Sequence, residues 1–281
     1  MTLSLRMRAA VLSVVLFLAF VAIWELAVIS NSGGSGVTGM SAEYAALMGA
    51  TAKGASAMPG PFTVGEEIWK HLSDPFYDAG PNDKGIGIQL GYSIARVFVG
   101  FVLAMLTAVP LGFLIGMSPL FYRALDPFIQ LMKPVSPLAW MPLALYTIKD
   151  STISSIFVIY ICSVWPMLIN TAFGVSGVRK EWLSVAKTLE VGQFRTAIRV
   201  ILPAAAPTIM TGMRISISIA WLVIVAAEML VGGTGIGYFV WNEWNNLSIT
   251  NIIAAIFFIG MVGMLLDLGL AQMTKLVTYE D

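Results

Sequence analysis

Long apolar runs alternate with polar connections along this chain. Each run has about 20 residues or more, which is enough to cross a hydrocarbon core about 30 Å thick at about 1.5 Å per residue. The six runs cover 11–30, 92–117, 128–148, 153–175, 208–231 and 252–276. The pattern therefore predicts an all-α membrane protein with six transmembrane helices.

The first run has an alternative interpretation, because Arg6 and Arg8 precede it as basic residues precede a secretory signal. The run is longer than the apolar region of about 7–15 residues that signals carry, and no A-x-A-like cleavage site follows it. We therefore assign 1–30 to an N-terminal segment and a first transmembrane helix.

The segment 31–91 is polar and rich in glycine, and it contains the stretch FTVGEEIWKHL at 62–72. Its apolar residues recur at near-helical spacing and include Trp69, which favours an amphipathic helix on the membrane surface. A solvated loop with a single helical turn is the alternative. The remaining region, 92–281, is predicted to form a core of five transmembrane helices.

The connections differ in their content of basic residues. One set, containing both termini and the polar segment after the fourth run, holds nine Lys and Arg, whereas the other set holds four. Cytoplasmic connections carry the excess of basic residues. We therefore expect both termini and the connecting loop 176–205 in the cytoplasm, and 31–91 on the periplasmic side.

Composition supports the membrane class and excludes several others. Hydrophobic residues make up 58% of the chain and charged residues 11%, against roughly 25% charged in soluble domains. Sixteen basic residues balance sixteen acidic ones, so nothing indicates nucleic-acid binding. One His and one Cys cannot build a His/Cys metal site, and no P-loop motif is present to bind ATP.

Helix-breaking residues are frequent within the predicted spans. The small-residue spacing Gly112-x-x-x-Gly116 indicates close helix approach, and prolines occur repeatedly between positions 110 and 166. Membrane helices tolerate such residues where neighbouring helices satisfy the freed backbone groups. The pattern predicts a packed bundle with irregular interior helices.

A charged amphipathic insert, 181–207, separates the fourth and fifth runs. Trp182, Val185, Ala186 and Leu189 recur at helical spacing and form one apolar face. Gly192 is expected to end this helix, because glycine accepts the left-handed conformation found after helix ends. The face is open to two interpretations, a lever that a partner pushes or a helix that rests on lipid.

The continuation of the insert also carries predictions. Residues 195–201 can form a second amphipathic segment, and Pro203 and Pro207 are expected to turn the chain into the next span. Charged residues in or near the spans tend to face the bundle interior or a pathway. Arg96 and Arg214 lie near the estimated starts of their spans, where snorkelling explains them equally well.

The insert resembles the coupling loop of binding-protein-dependent ABC importer permeases, whose pattern is E-A-A, three residues, G, nine residues and I-x-L-P. Leu202-Pro203 sets the register. Ala186 then matches the pattern and Val200 is a conservative change, whereas Ser184, Val185 and Glu190 depart from it. The glycine position of the pattern falls on Glu190.

The resemblance extends from about Pro59 to the C-terminus. Residues 110–146, 165–175 and 219–241 look like the permeases for nitrate, sulfonate, taurine and bicarbonate. Residues 75–90 and the stretch GYFVWNEWNNL are similar to cyanobacterial nitrate/nitrite permeases and their bicarbonate relatives. The resemblance implies a type I ABC importer permease that moves nitrate or nitrite across the inner (plasma) membrane, with bicarbonate, sulfonate or taurine as alternatives.

The resemblance also implies partners. They are a second copy of the permease in a homodimer, two cytoplasmic ABC ATPase subunits and a periplasmic solute-binding protein, in contact with membrane lipid. It implies no cofactor in this chain, since ATP and Mg would bind the ATPase subunits. An intramembrane enzyme is the alternative of another class, but the sequence offers no His pair, no H-E-x-x-H motif and no buried carboxylate cluster. We therefore predict no catalytic residues.

Individual residues receive roles, the coupling residues from the resemblance and the others from their chemistry and position. ATPase coupling is expected at Ser184, Val185, Ala186, Lys187, Thr188, Leu189, Glu190 and Gly192. Hydrogen-bond donors suit an anion path, with interhelical packing as the alternative for each, at Ser163, Trp165, Asn170, Ser216 and Ser218. An outer gate is expected at Glu228, Gly233 and Gly235.

Overall fold

A computed structural model describes residues 5–32, 58–80 and 83–277, and these residues are almost entirely helical. The long helices are α1 Leu5–Ser32, α3 Ile86–Met117, α6 Ser151–Ser176, α9 Leu202–Val231 and α11 Ile249–Val277. The shorter ones are α2 Pro61–Ser73, α4 Pro119–Met132, α5 Pro137–Ile148, α7 Lys180–Thr188, α8 Gln193–Thr196 and α10 Ile236–Asn245. Strands β1 Asp78–Gly80 and β2 Asp83–Lys84 pair antiparallel. Most of the glycine-rich part of the predicted periplasmic loop, 33–57, lies outside the described residues.

Five helical stretches in the described part of the chain are long and apolar enough to cross a membrane. They are Met7–Ser30, Ile86–Met117, Ser151–Ser176, Gln193–Val231 and Ile249–Lys275. The predicted all-α membrane class is confirmed. The ends of these five stretches agree with the ends predicted from the sequence to within about six residues, except that the fourth stretch begins at 193 and not at 208.

The structure differs from the prediction at 128–148, where it contains two helices in place of one span. Helix α4 ends at Met132, and α5 begins at Pro137 after a turn. Pro134 and Pro137 explain the break, because Pro134 lacks a backbone donor and Ser136, before Pro137, has the extended geometry that a following proline favours. Helix α5 has 12 residues, or about 18 Å, which is shorter than the hydrocarbon core.

The prediction that Pro203 and Pro207 turn the chain is wrong. Helical structure continues from Gln193 to Val231, through a π-helical turn at Ala197–Ile201. The N–H of Leu202 reaches the carbonyl of Ala197, five residues back. The wider turn just before Pro203 accommodates the proline ring, which would otherwise collide with the carbonyl four residues back.

The described residues divide into two compact units. One contains the residues up to Asp74 together with Glu243–Ile256, and the other contains Pro75–Asn242 together with Phe257–Asp281 as far as it is described. In the first unit the predicted amphipathic helix at 62–72 is confirmed as α2, against the loop alternative. The buried His71 contacts Asn251, which donates to Glu243.

Helices α3, α6 and α9 pack together to form the core of the second unit. A Cβ added to Gly112 of α3 would lie 2.7 Å from the carbonyl oxygen of Leu168 in α6. One added to Gly116 would lie 2.6 Å from the carbonyl oxygen of Ala172. Both distances are too short for any residue except glycine, so the predicted close approach at Gly112-x-x-x-Gly116 is confirmed.

Candidate functional site

Helix α7 is attached to the core of its own unit by one face. Ala186 is only 5% exposed, and Leu183 packs against a buried apolar cluster. That cluster joins the end of α6 to the start of α9 through Val175, Val178, Ile201, Ala205 and Ile209. A displacement of α7 would therefore be transmitted to two long helices.

The other face of α7 is apolar and open. Trp182, Val185 and Leu189 are 46%, 58% and 70% exposed, at a spacing that places all three on one side of the helix. The guanidinium of Arg179 lies 5.6 Å from the centre of the Trp182 ring. This surface is hereafter called the α7 apolar face, and it consists of Trp182, Val185 and Leu189.

The end of α7 is built differently from the prediction. The N–H of Val191 donates to the carbonyl of Ala186, and that of Glu190 donates to the carbonyl of Lys187. These are the two bonds of a Schellman motif, whose left-handed position is Glu190, with a φ of 52°. Gly192 has a φ of −57° instead, so its predicted left-handed role is wrong.

The left-handed conformation at Glu190 has an energetic cost, because this chain has glutamate where the family pattern has glycine. A left-handed conformation costs a non-glycine residue roughly 1–2 kcal/mol. The Glu190→Gly variant should therefore raise the unfolding free energy of the purified protein by about 1 kcal/mol, measured by thermal or denaturant unfolding. The Gly192→Ala variant is the control, since its φ suits alanine and no atom lies within 4 Å of the added Cβ. A less stable Glu190→Gly protein would contradict this explanation.

The remaining predicted coupling residues fall on different sides of α7. Ser184, Lys187 and Thr188 are exposed, and the Thr188 hydroxyl donates to the carbonyl of Ser184 at 2.9 Å. Ala186 points into the chain's own core and is not part of the exposed surface. The sequence pattern placed it with Val185 and Leu189 because periodicity does not distinguish the two sides of a broad apolar stripe.

A buried ion pair lies at the opposite end of α9. The Glu228 carboxylate is fully buried and accepts hydrogen bonds from Arg96 Nη1 at 2.7 Å and from Ser93 Oγ at 2.8–2.9 Å. Both partners belong to α3. Arg96 is only 9% exposed, so it is not a snorkelling residue as one interpretation of the sequence allowed.

The same cluster holds the loop that leads into α10. Arg96 donates to the carbonyl of Thr234 at 2.8 Å, and Glu228 accepts from the N–H of Gly237 at 3.0 Å. The N–H of Gly235 donates to Gln89, and a Cβ at Gly235 would overlap the Glu228 carboxyl group. Two of the three predicted gate residues, Glu228 and Gly235, are thus in direct contact.

Gly233 does not join them. Its φ of +90° strongly favours glycine, and nothing lies within 4 Å of a Cβ added at this position, so it serves the turn itself. Sequence reasoning missed Gln89 and Ser93. Their spacing with Arg96, at i, i+4 and i+7, is a polar stripe on an apolar helix and would have indicated them.

A second ion pair links α9 to α11. Arg214 Nε donates to Asp267 Oδ1 at 3.1 Å, and Nη2 donates to Oδ2 at 2.7 Å. Unlike Arg96 and Glu228, these two residues form an open ion pair, since their side chains are 40% and 39% exposed. Arg214 was noted in the sequence, but its pairing with Asp267 was not predicted because the two residues are 53 positions apart.

The predicted path residues mostly lie in helix contacts. Ser163 and Ser216 are fully buried, and the Ser216 hydroxyl donates to the carbonyl of Ser163 at 2.8 Å. Asn170 donates to the carbonyl of Pro166. A Cβ added at Gly212 would lie 2.6 Å from the Cβ of Asn170. These three contacts favour the packing alternative.

The other two path residues are more accessible. Trp165 is half-buried, and Ser218 is exposed, with its hydroxyl donating to the carbonyl of Arg214. Ser218 also lines a groove of about 530 Å³ beside the open ion pair. It is therefore the predicted path residue with the clearest access to open space.

The second unit is a bundle of membrane-length helices that carries an exposed apolar helix on its core. The fold is similar to that of the inward-facing MetNI methionine ABC transporter, with a TM-score of 0.60 and 14% sequence identity. The match covers 68% of this chain and 95% of the MetNI chain. It supports the permease fold alone.

Residues 108–277 match the family described as binding-protein-dependent transport system inner membrane component, and the chain belongs to this family. It is therefore a transport subunit of a binding-protein-dependent ABC importer, dependent on ATPase and solute-binding partners, and not an enzyme. The predicted family and permease fold are confirmed.

Relatives within the family share much higher identity. The nitrate import permease protein NrtB of Synechocystis sp. is 43% identical over 222 residues, covering 79% of this chain and 81% of that protein. The bicarbonate transport system permease protein CmpB of Synechocystis sp. is 44% identical over 207 residues, covering 73% and 74%. The taurine transport system permease protein TauC of Escherichia coli is 32% identical, covering 71% and 74%.

Proposed function

We propose that this permease moves nitrate or nitrite inward across the inner membrane by alternating access. The observation that carries the proposal is the 43% identity to a nitrate import permease over about four fifths of both chains. A path lined only by uncharged groups would not stabilise an anion within the bilayer. The open Arg214–Asp267 pair within the spans provides a donor that suits such a cargo.

The α7 apolar face is proposed as the docking surface for an ATPase subunit. Its three large side chains stay exposed, whereas Leu183 and Ala186 fasten the opposite face to the core. Polar rim contacts come from Ser184, Lys187, Thr188 and Glu190, of which the charged Lys187 and Glu190 contribute about 0–1 kcal/mol each. ATP and Mg bind the ATPase subunits, and closure of those subunits moves α7 and with it α6 and α9.

The assembly is proposed to contain two copies of this permease, two ATPase subunits and one periplasmic binding protein. Both termini and the loop 176–205 face the cytoplasm, and 31–91 faces the periplasm, in keeping with the excess of basic residues in the first set of connections. Exposed Phe62 and Trp69 of α2 suit contact with the lipid surface. Glu228 and Gly235 hold the outer loop closed from the periplasmic side.

Bicarbonate is the second candidate cargo, because a bicarbonate permease is 44% identical over 73% of this chain. The two anions are both small, planar and singly charged. Selectivity between them resides largely in the solute-binding protein under this proposal, so the permease alone need not distinguish them.

Reconstituted complexes decide between the two cargoes. Permease, ATPase and binding subunits in proteoliposomes should hydrolyse ATP several-fold faster when the binding protein carries nitrate, and should accumulate nitrate in the vesicles. Bicarbonate in the same preparation should leave the rate near its basal value. Stimulation and uptake with bicarbonate alone would overturn the nitrate proposal and favour the second candidate.

A further inference from the structure

The open ion pair lies within two membrane-length helices. Arg214 is 12 residues after Leu202 and 17 before Val231 in α9, which places it roughly 18 Å and 26 Å from the two ends. Asp267 is 18 residues after Ile249 and 10 before Val277 in α11, which places it roughly 27 Å and 15 Å from the two ends. Both charges therefore lie at a depth where lipid would surround an outward-facing side chain.

The two ion pairs of this bundle differ in their exposure and in the elements that they connect. Arg96 and Glu228 are sealed, with side chains 10% and 0% exposed, and the pair ties a loop to two helices. Arg214 and Asp267 are 40% and 39% exposed and have no loop to hold. Exposed charge is not tolerated against hydrocarbon, so the open side of this pair must face water or another polar group.

The open side borders the groove of about 530 Å³, whose lining is partly polar. Thr211, Arg214 and Ser218 follow one another along one face of α9 at i, i+3 and i+7, over about 10 Å. Thr274 of α11 lines the same groove. A polar strip of this kind along an apolar helix is what an ion needs to cross the bilayer in steps.

Arg214 is the group in this groove that can donate strongly to an anion. Asp267 occupies Nε and one N–H of Nη2, and no further partner of Arg214 is present in the described part of the chain. The hydroxyls of Thr211 and Ser218 already donate to backbone carbonyls. The remaining guanidinium N–H groups can bind a planar oxyanion with two parallel hydrogen bonds.

Asp267 gives this site the weakness that transport requires. A lone arginine at this depth would hold an anion too tightly to release it, whereas a neutral pair binds an anion only transiently. The carboxylate keeps its two hydrogen bonds to the guanidinium while the anion binds to the remaining N–H groups and leaves. The pairing also explains how a charged arginine is accommodated in the span before any cargo arrives.

We propose that Arg214 is an anion-binding residue of the translocation path, with Asp267 as its resident counter-ion. The inference rests on the proposed function and assigns the path to the groove face of α9, through Thr211, Arg214 and Ser218. The cargo class is a small planar oxyanion, for which nitrate is the probe. The buried contacts of Ser163 and Ser216 seal the helices beside this path and do not touch the anion.

The test separates anion binding from structural pairing. In the double variant Arg214→Gln with Asp267→Asn, two neutral amides of similar shape keep a hydrogen bond between α9 and α11 and remove both charges. Complete complexes in proteoliposomes should assemble and hydrolyse ATP in response to nitrate-loaded binding protein as the wild type does. Nitrate taken up per ATP should fall on the order of 10- to 100-fold, because a charge-assisted bond is lost.

Uptake per ATP within twofold of the wild type in that double variant would overturn the proposal, since the pair would then be structural only. If the double variant does not assemble, Arg214→Lys provides the second measurement, because it keeps the charge and loses the two-bond geometry. Lower uptake per ATP in an assembled Arg214→Lys complex supports the proposal, and unchanged uptake refutes it.

Failure of the proposal that nitrate is the cargo would give a different experimental result. A wild-type complex that moves bicarbonate and not nitrate refutes nitrate as the cargo, and the same variants are then compared by bicarbonate uptake. A fall in bicarbonate uptake in the variants would still support Arg214 as the anion-binding residue. A wild type that moves neither anion overturns both proposals.

Discussion

The Leu189→Asp variant is expected to reach the membrane and to lose its ATPase subunits on purification. Leu189 is 70% exposed and Val185 is 58% exposed, and neither takes part in the packing of Leu183 and Ala186 against the core. Aspartate at either position should therefore leave the permease folded. In the docked complex it removes a buried apolar contact worth about 1.5–3 kcal/mol and buries a charge in its place.

The expected loss of affinity exceeds about 100-fold, since roughly 1.4 kcal/mol corresponds to a factor of ten. Co-purification of tagged permease with the ATPase subunits measures it directly. Ser184→Glu is the matched control, because a carboxylate at this rim position should change the affinity by only about 0–1 kcal/mol. It adds a carboxylate to the same helix about 130° away from the centre of the α7 apolar face, at the position where the family pattern has glutamate. If both Leu189→Asp and Val185→Asp retained their ATPase subunits, the α7 apolar face would not be the docking surface.

The second large effect is expected at the sealed ion pair. Replacing Arg96 with methionine leaves the Glu228 carboxylate buried without its counter-ion, between α3, α9 and the loop before α10. Breaking a buried pair by removing one partner destabilises proteins by about 3–5 kcal/mol. The thermal midpoint of the purified permease should fall steeply, and the Gly232–Gly237 loop should exchange its amide hydrogens faster.

A second substitution should restore most of this loss. Glutamine at Glu228 removes the charge and keeps an oxygen that can accept from Ser93 and from the N–H of Gly237. The combined variant Arg96→Met with Glu228→Gln should therefore regain most of the lost stability. A single Arg96→Met protein as stable as the wild type would show that the pair does not hold the loop.

Helical class and the amphipathic segments could be predicted because they depend on local periodicity. The apolar runs were long enough to span a membrane, and the α7 pattern identified Trp182, Val185 and Leu189 before any packing was known. The close approach at Gly112 and Gly116 was also visible in the sequence, because small residues at this spacing have few other uses in a membrane helix.

Other features could not be predicted from residue spacing, because they depend on exact backbone geometry or on packing between helices. Proline at position 203 indicated a turn, but the π-helical turn before it accommodated the ring and allowed the helix to continue. The left-handed residue after α7 is Glu190, because the length of α7 sets that position whatever side chain occupies it. Sequence reasoning placed the path at Ser163 and Ser216, whose hydroxyls the packing of α6 against α9 has buried.

The sequence by itself determined that this protein is a helical membrane protein with an amphipathic segment between two spans, because hydrophobic length and helical spacing are local properties. The permease class followed from its resemblance to a known family. Only the tertiary structure decided which charges pair. Arg96 with Glu228 and Arg214 with Asp267 are similar combinations in sequence, yet packing seals the first and leaves the second open to a groove. Burial governs the role of each pair, because a buried charge must keep its partner, whereas a charge left accessible can also bind an ion.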